Sequence, residues 1–218
     1  VMVVDTVGNK FSTSLGVYEN GQITWIKRFR YPNSLGLFYS SATRLLGLKP
    51  LSDESQIMAA AAYGEPKWFD FIRSKVLNFD YDGHYDLLVN LERGIGYGAL
   101  DWDIAASVQK TLEHVLVNLA GWLQKETGMK NLAYAGGVAL NCVANTEIAR
   151  FSGFEDIAIQ PAAGDAGCAL GAAALLERPL WENAYLGVDA SNGMLAEQYA
   201  DKILKGEVVS VIHGRAEF

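Results

Sequence analysis

Asn131-Leu132-Ala133-Tyr134-Ala135-Gly136-Gly137-Val138-Ala139-Leu140-Asn141, continued at Ile157-Ala158-Ile159-Gln160-Pro161-Ala162-Ala163-Gly164-Asp165-Ala166-Gly167, is the stretch on which the fold class turns. Asn131–Ala135 reads as a short strand, Gly136-Gly137 as a break, 139–150 as a helix and Ile157–Gln160 as a second strand. The turn Pro161–Gly164 leads into a helix from Asp165 to about Arg178. Two strands joined through one helix within so short a span make a right-handed crossover between parallel neighbours.

Upstream, the strongest helical signal runs from Asp101 to Thr127, where Ile104, Val108, Leu112, Leu116, Leu119 and Leu123 recur at helical spacing and Gly128 stops the run. At the standard rise it is roughly 40 Å long, so it must pack along a sheet. Residues 1–4, 12–18 and 22–30 read as strands, with Glu19-Asn20-Gly21 as the hairpin turn. Pro32 ends the meander, and Asn33 or Ser34 caps a helix over 35–47 that Gly47 closes. Residues 54–62 are Ala-rich and helical, 67–77 are amphipathic, and 78–100 read as loop or short strands. The string β-β-β-α…α-β-α-β-α predicts an α/β chain: one ribonuclease-H-like lobe of the actin and sugar-kinase type, with a mixed five-stranded sheet and helices on both faces.

The lobe is expected to span 1–178. Residues 179–218, with Pro179, Gly187, Ser191-Asn192-Gly193 and an amphipathic run from Leu195 to Leu204, read as a connecting segment that ends in a strand at Val208–Ile212. Val1 opens inside an apolar run and the chain stops soon after that last strand, so the sequence is expected to be part of something longer.

Composition narrows the partners. The 218 residues carry 18 basic and 25 acidic side chains, a formal charge of −7, and half are hydrophobic, which is ample for a core. No basic stripe is available for nucleic acid or for an anionic membrane surface, and no apolar run is long enough to span a bilayer. Cys142 and Cys168 form no C-x-x-C pair and are expected to be small buried thiols, which makes the cytoplasm the default compartment.

In parallel βαβ units, ligands gather beyond the carboxyl ends of the strands. Three places qualify. Gly136-Gly137 lets backbone approach a ligand that Asn141 can hydrogen-bond, although a glycine pair serves equally as a tight turn. Asp165 stands at the first turn of a helix, where it is either a ligand or an N-cap. Asp5, ending the first strand, either shares that edge with Asp165 or merely turns the chain. Two carboxylates beside a diglycine bend would suit a hard cation able to polarise a phosphoryl or carbonyl oxygen. Gly94-Ile95-Gly96-Tyr97-Gly98 lacks dinucleotide-loop spacing, and Asp80-x-Asp82-Gly83 has Leu91 where a calcium loop needs a carboxylate. His114 falls about 200° from Leu112 on the long helix and is expected to face solvent.

The strings Leu132–Asn145 and Ile159–Ala173 closely resemble the carbamoyltransferase family of nodulation protein U and the antibiotic O-carbamoyltransferases. Val3-Val4-Asp5, Thr13–Val17, Ser34–Ser40 and Tyr63-Gly64-Glu65-Pro66 match it in the same order. The resemblance implies transfer of a carbamoyl group to a hydroxyl of a sugar or natural product. The donor is carbamoyl adenylate, made from carbamoyl phosphate and ATP by a YrdC-like domain. It implies that Asp5 and Asp165 are catalytic carboxylates holding an iron-type divalent metal, that Gly136, Gly137, Val138 and Asn141 form the adenylate loop, and that Glu54 lies near the ribose. It further implies that this chain is the second lobe, completed by a first lobe carrying metal-binding histidines and by a YrdC-like domain, 179–218 being the connecting segment and the start of that domain. Gln56 stands where the family usually has Lys, Thr6 where Gly is frequent, and Ala59 and Ala62 where Gly and Pro are usual. Two other readings of the same lobe are tRNA threonylcarbamoyl transfer, against which the acidic charge speaks, and a non-catalytic nucleotide-gated interaction lobe.

Overall fold

The computed structural model describes residues 1–80, 83–87, 101–177, 180, 183–189 and 196–216. Seven strands are present among them: β1 (Met2–Val4), β2 (Thr13–Glu19), β3 (Gln22–Phe29), β4 (Leu77–Phe79), β5 (Tyr85–Leu87), β6 (Asn131–Ala135) and β7 (Asp156–Ile159). The helices are α1 (Leu35–Leu45), α2 (Glu54–Ala60), α3 (Phe69–Lys75), α4 (Trp102–Thr127), α5 (Cys142–Phe151), α6 (Gly167–Ala174) and α7 (Ala196–Leu204).

The principal sheet has the order β3-β2-β1-β6-β7. β2 pairs antiparallel with β3 and with β1, whereas β1, β6 and β7 run parallel, with Met2 opposite Tyr134 and Leu132 opposite Ile157. This is the mixed five-stranded, ribonuclease-H-like sheet with helices on both faces. Asn20 and Gly21 both take positive φ (52° and 81°), which is the primed turn that an Asn-Gly pair supplies to a hairpin.

Alternation sets which side chains enter the core. Met2, Val4, Leu15, Leu132 and Tyr134 are buried, while Ala133 and Ala135 on the opposite face of β6 are exposed. α4 lies against α1, α2, α3 and α5, and its expected stripe from Ile104 to Leu123 is buried throughout. Its ends carry their own stop signals. Asp101 Oδ1 accepts from the N–H groups of Asp103 (2.8 Å) and Ile104 (3.1 Å), and Gly128 closes the helix at φ 65°.

Several expectations are corrected. α1 ends at Leu45 rather than 47, while Ser34, one of the two expected candidates, caps it by accepting from Leu37 N. The expected helix 139–150 is split: a 3-10 turn over Gly137–Leu140 precedes α5, because the Asn141 side chain restarts the helix by capping Ala144 N. Cys142 and Cys168 are exposed; the core side of α5 belongs to Ala144 and Ile148, away from Cys142. His114 is half-buried, with Phe69 and Phe79 edge-on at 5.6 and 6.3 Å, because α3 and the β4–β5 ribbon cover a second side of α4. Val208–Ile212 is not a strand: Val208 is wholly exposed and no neighbouring strand pairs with it among the described residues. Gly94–Gly98, Leu91, Asp82 and Ser191-Asn192-Gly193 lie outside the described residues.

The chain divides into compact units Val1–Gly171 and Ala172–Phe218. Within the second, Asp189 and Arg215 form a β-bridge and the Arg215 guanidinium donates to the carbonyls of Gly187 and Leu186, each at 2.7 Å. Among the described residues no helix is long and apolar enough to cross a membrane.

Candidate functional site

Because β1, β6 and β7 are parallel, their carboxyl ends share one edge, and the loops that leave them meet there. Asp5 follows β1, Gly136-Gly137 follows β6, and Pro161–Asp165 follows β7. Gly136 N–H donates to Ala163 O (2.9 Å), tying the second loop to the third. Gly136 takes φ 100°, and a Cβ there would lie 2.1 Å from Val4 O, so only glycine lets the loop pass this close to β1.

The same edge bounds a cavity of about 610 Å³, within the usual range for small-molecule sites. Asp5, Gly137, Val138, Asn141, Glu54 and Asp165 all line it. Asp5 and Asp165 therefore face one space, with the diglycine bend between them. Asp5 Oδ1 accepts from Thr6 N (2.8 Å), and it would lie 3.0 Å from a Cβ on Gly137, so that glycine leaves the carboxylate open toward the cavity. Asp165 meets the start of α6 with its carbonyl, which accepts from Cys168 N (3.0 Å). Gly136 itself is not a lining residue and acts through the loop it shapes.

Glu54 and Asn141 have structural partners of their own. Glu54 Oε1 accepts from Ser40 Oγ (2.7 Å) and Leu51 N (2.6 Å), which fixes α2 against α1. Asn141 caps α5 and forms a reciprocal amide pair with Gln109: Gln109 Nε2 donates to Asn141 Oδ1 (3.1 Å), and Asn141 Nδ2 donates to Gln109 Oε1 (2.9 Å). Gln56 is exposed and is not part of the lining.

Gln109 and Tyr39 are the residues that sequence reasoning missed. Gln109 is buried on α4, accepts from Tyr39 Oη (2.9 Å) and donates to Glu113 Oε1 (3.1 Å), so both halves of its amide are in use. Burial, reinforced by the charges of Glu113 and Glu54, pushes the Tyr39 hydroxyl well above its ordinary pKa, so it stays a neutral donor. A polar residue one position after Val108 in a buried stripe was the signal available for Gln109, and it is visible only once α4 is known to be covered on more than one side.

The donor set limits what ions this chain can hold. Asp5 and Asp165 supply two hard oxygen donors, but among the described residues no three of His, Cys, Asp and Glu come together. A complete iron-type coordination shell would draw its remaining donors from outside this set.

Residues 1–174 match the family described as Carbamoyltransferase N-terminus, and the chain belongs to that family. It is 39% identical over 196 residues to the uncharacterized protein sll1178 of Synechocystis sp., covering 79% of this chain and 32% of that protein. To nodulation protein NolO of Bradyrhizobium diazoefficiens it is 31% identical over 258 residues, covering all of this chain and 47% of the relative. A tRNA N6-adenosine threonylcarbamoyltransferase of Christiangramia forsetii is 30% identical over 117 residues, half of this chain and 34% of that enzyme. The chain thus spans less than half the length of each of these relatives.

Proposed function

We propose that this chain is the second lobe of an O-carbamoyltransferase, in which carbamoyl adenylate, made from carbamoyl phosphate and ATP, gives its carbamoyl group to a hydroxyl of a sugar or natural product. The observation that carries this reading is the convergence of Asp5, Gly137, Asn141, Gly164 and Asp165 on one cavity in a chain of the carbamoyltransferase family.

The acceptor hydroxyl oxygen bonds to the carbamoyl carbon, the bond from that carbon to the phosphate oxygen breaks, and AMP leaves. A carboxylate at Asp165 takes the hydroxyl proton. The Gly137–Leu140 segment would offer N–H groups of its first turn to the developing oxyanion, and Val138 and Met58, which line the cavity, would give the nucleotide an apolar wall. A divalent metal shared by Asp5 and Asp165 and by histidines of a first lobe would add Lewis-acid polarisation of the same oxygen. The first lobe and the YrdC-like domain would belong to the same polypeptide, acting in the cytoplasm.

In the full-length protein, Asp165→Ala is expected to lower carbamoylated product formation by about a hundredfold while carbamoyl-phosphate-dependent pyrophosphate release continues. Undiminished product would remove the role assigned to Asp165. The threonylcarbamoyltransferase match supports a second reading, tRNA modification. Turnover on tRNA but not on small hydroxylated acceptors would select it.

A further inference from the structure

Tyr39 and Asn141 line the cavity, and the buried Gln109 lies behind them, outside the lining. What a ligand meets at this wall depends on which way the hydrogen bonds among the three residues run.

Two groups at the ends of the network have no choice of role. Ala144 N–H can only donate, and it gives its proton to Asn141 Oδ1 (2.9 Å); the Glu113 carboxylate, ion-paired with Lys110 at 3.3 Å, can only accept. The Asn141 amide is thereby fixed with Nδ2 toward Gln109 Oε1 (2.9 Å), and Gln109 Nε2 divides its two protons between Asn141 Oδ1 and Glu113 Oε1 (3.1 Å each). Gln109 Oε1 then stands as an acceptor 2.9 Å from Tyr39 Oη, so the hydroxyl proton is spent on Gln109. The Tyr39 oxygen has no proton left to give. It keeps two lone pairs, of which the Asn141 side chain claims at most one. From this geometry we infer that Gln109 is a positioning residue that makes Tyr39 an acceptor only, so that this wall selects a ligand group carrying an N–H over an isostere without one. An oxo or methyl group in that place leaves a buried lone pair without a partner. The H–N–C=O edge of a carbamoyl group and the H–N–C=N edge of adenine share the required chemistry. The inference rests on the carbamoyl-transfer reading for the identity of these ligands.

Amide NMR titration of the chain tests it with two matched pairs of probes. AMP is set against purine riboside 5′-monophosphate, which lacks the amino group, and carbamoyl phosphate against acetyl phosphate, which has a methyl in its place. In at least one pair the amino member is expected to bind tighter by about fivefold or more, with shifts at Gly137 and Asn141. The pair that discriminates tells whether adenine or the carbamoyl group meets Tyr39. Gln109→Met frees the Tyr39 proton and Tyr39→Phe removes the acceptor; each is expected to bring the members of that pair within about twofold of one another. Loosened packing alone would weaken both members equally and leave their ratio intact. Where Gln109→Met fails to fold, Tyr39→Phe decides, since it keeps the buried ring. Equal binding within both pairs, or a ratio that survives in either folded variant, overturns the inference and leaves the carbamoyl-transfer reading standing. No shift at Gly137 or Asn141 with any probe overturns both.

Discussion

At the scale of single residues, burial decides roles that residue type leaves open. His114 sits against Phe69 and Phe79, with Asn118 Nδ2 at 3.1 Å from its Nε2. Burial first, then the positive charges of Arg73 and Lys110, hold its pKa below the ordinary histidine value. Such a group binds its proton less readily folded than unfolded. Stability is therefore full above the unfolded pKa of about 6.5 and declines as pH falls below it, levelling once the folded pKa is passed. Urea midpoints at pH 7.5 and 5 are expected to differ in the wild type, and the part of that difference due to this residue should vanish in His114→Asn. An unchanged pH dependence in the variant would refute the assignment. Periodicity placed His114 on the side of α4 away from Leu112, and that much was legible; that α3 would lie across that side was not, since it depends on where a distant segment folds. Gly136 was legible as a glycine the loop needs, but the reason, a Val4 carbonyl 2.1 Å from any Cβ, comes from a strand more than a hundred residues earlier.

At the scale of elements, local stop signals were readable and partners were not. Asp101, Gly128, Ser34 and the Asn20-Gly21 turn act on their own neighbours in sequence, so their chemistry is contained in a few residues. Asp101→Ala removes two hydrogen bonds to the first turn of α4 and is expected to cost about 1 kcal/mol, measured by urea unfolding. A loss below the error of that measurement would mean the first turn is held by tertiary contacts alone. Val208–Ile212 shows the converse. Its residues have strand propensity, but a strand is completed by a neighbour's hydrogen bonds, and none is present among the described residues. Likewise α5 starts after a 3-10 turn because Asn141 caps it while paired with Gln109 across the fold.

At the scale of the whole molecule, α4 joins the layers: its buried leucines lie in the same core cluster as Met2, Val4, Leu15 and Tyr134 from the sheet. Leu116 is fully buried in it, and Leu116→Ala is expected to destabilise the Val1–Gly171 unit by about 3 kcal/mol through lost burial and a residual cavity. Fluorescence of Trp122, on the same helix with Lys27 over its ring at 4.5 Å, would report that unfolding. A change under about 0.5 kcal/mol would show that the site collapses around the smaller side chain.

The amino-acid sequence alone determined the alternation of strands and helices, the hairpin turn, the helix caps and the family strings that carry Asp5, Gly136, Gly137 and Asp165. Each of these is written in near neighbours or in short runs. Only the tertiary structure decided that Asp5 and Asp165 open onto one cavity, that Gln109 and Tyr39 support Asn141 beneath it, and which way the hydrogen bonds among those three run. Parallel strand pairing brings those loops to a common edge, and burial sets which hydrogen bonds their side chains must make. Both arise between segments far apart along the chain.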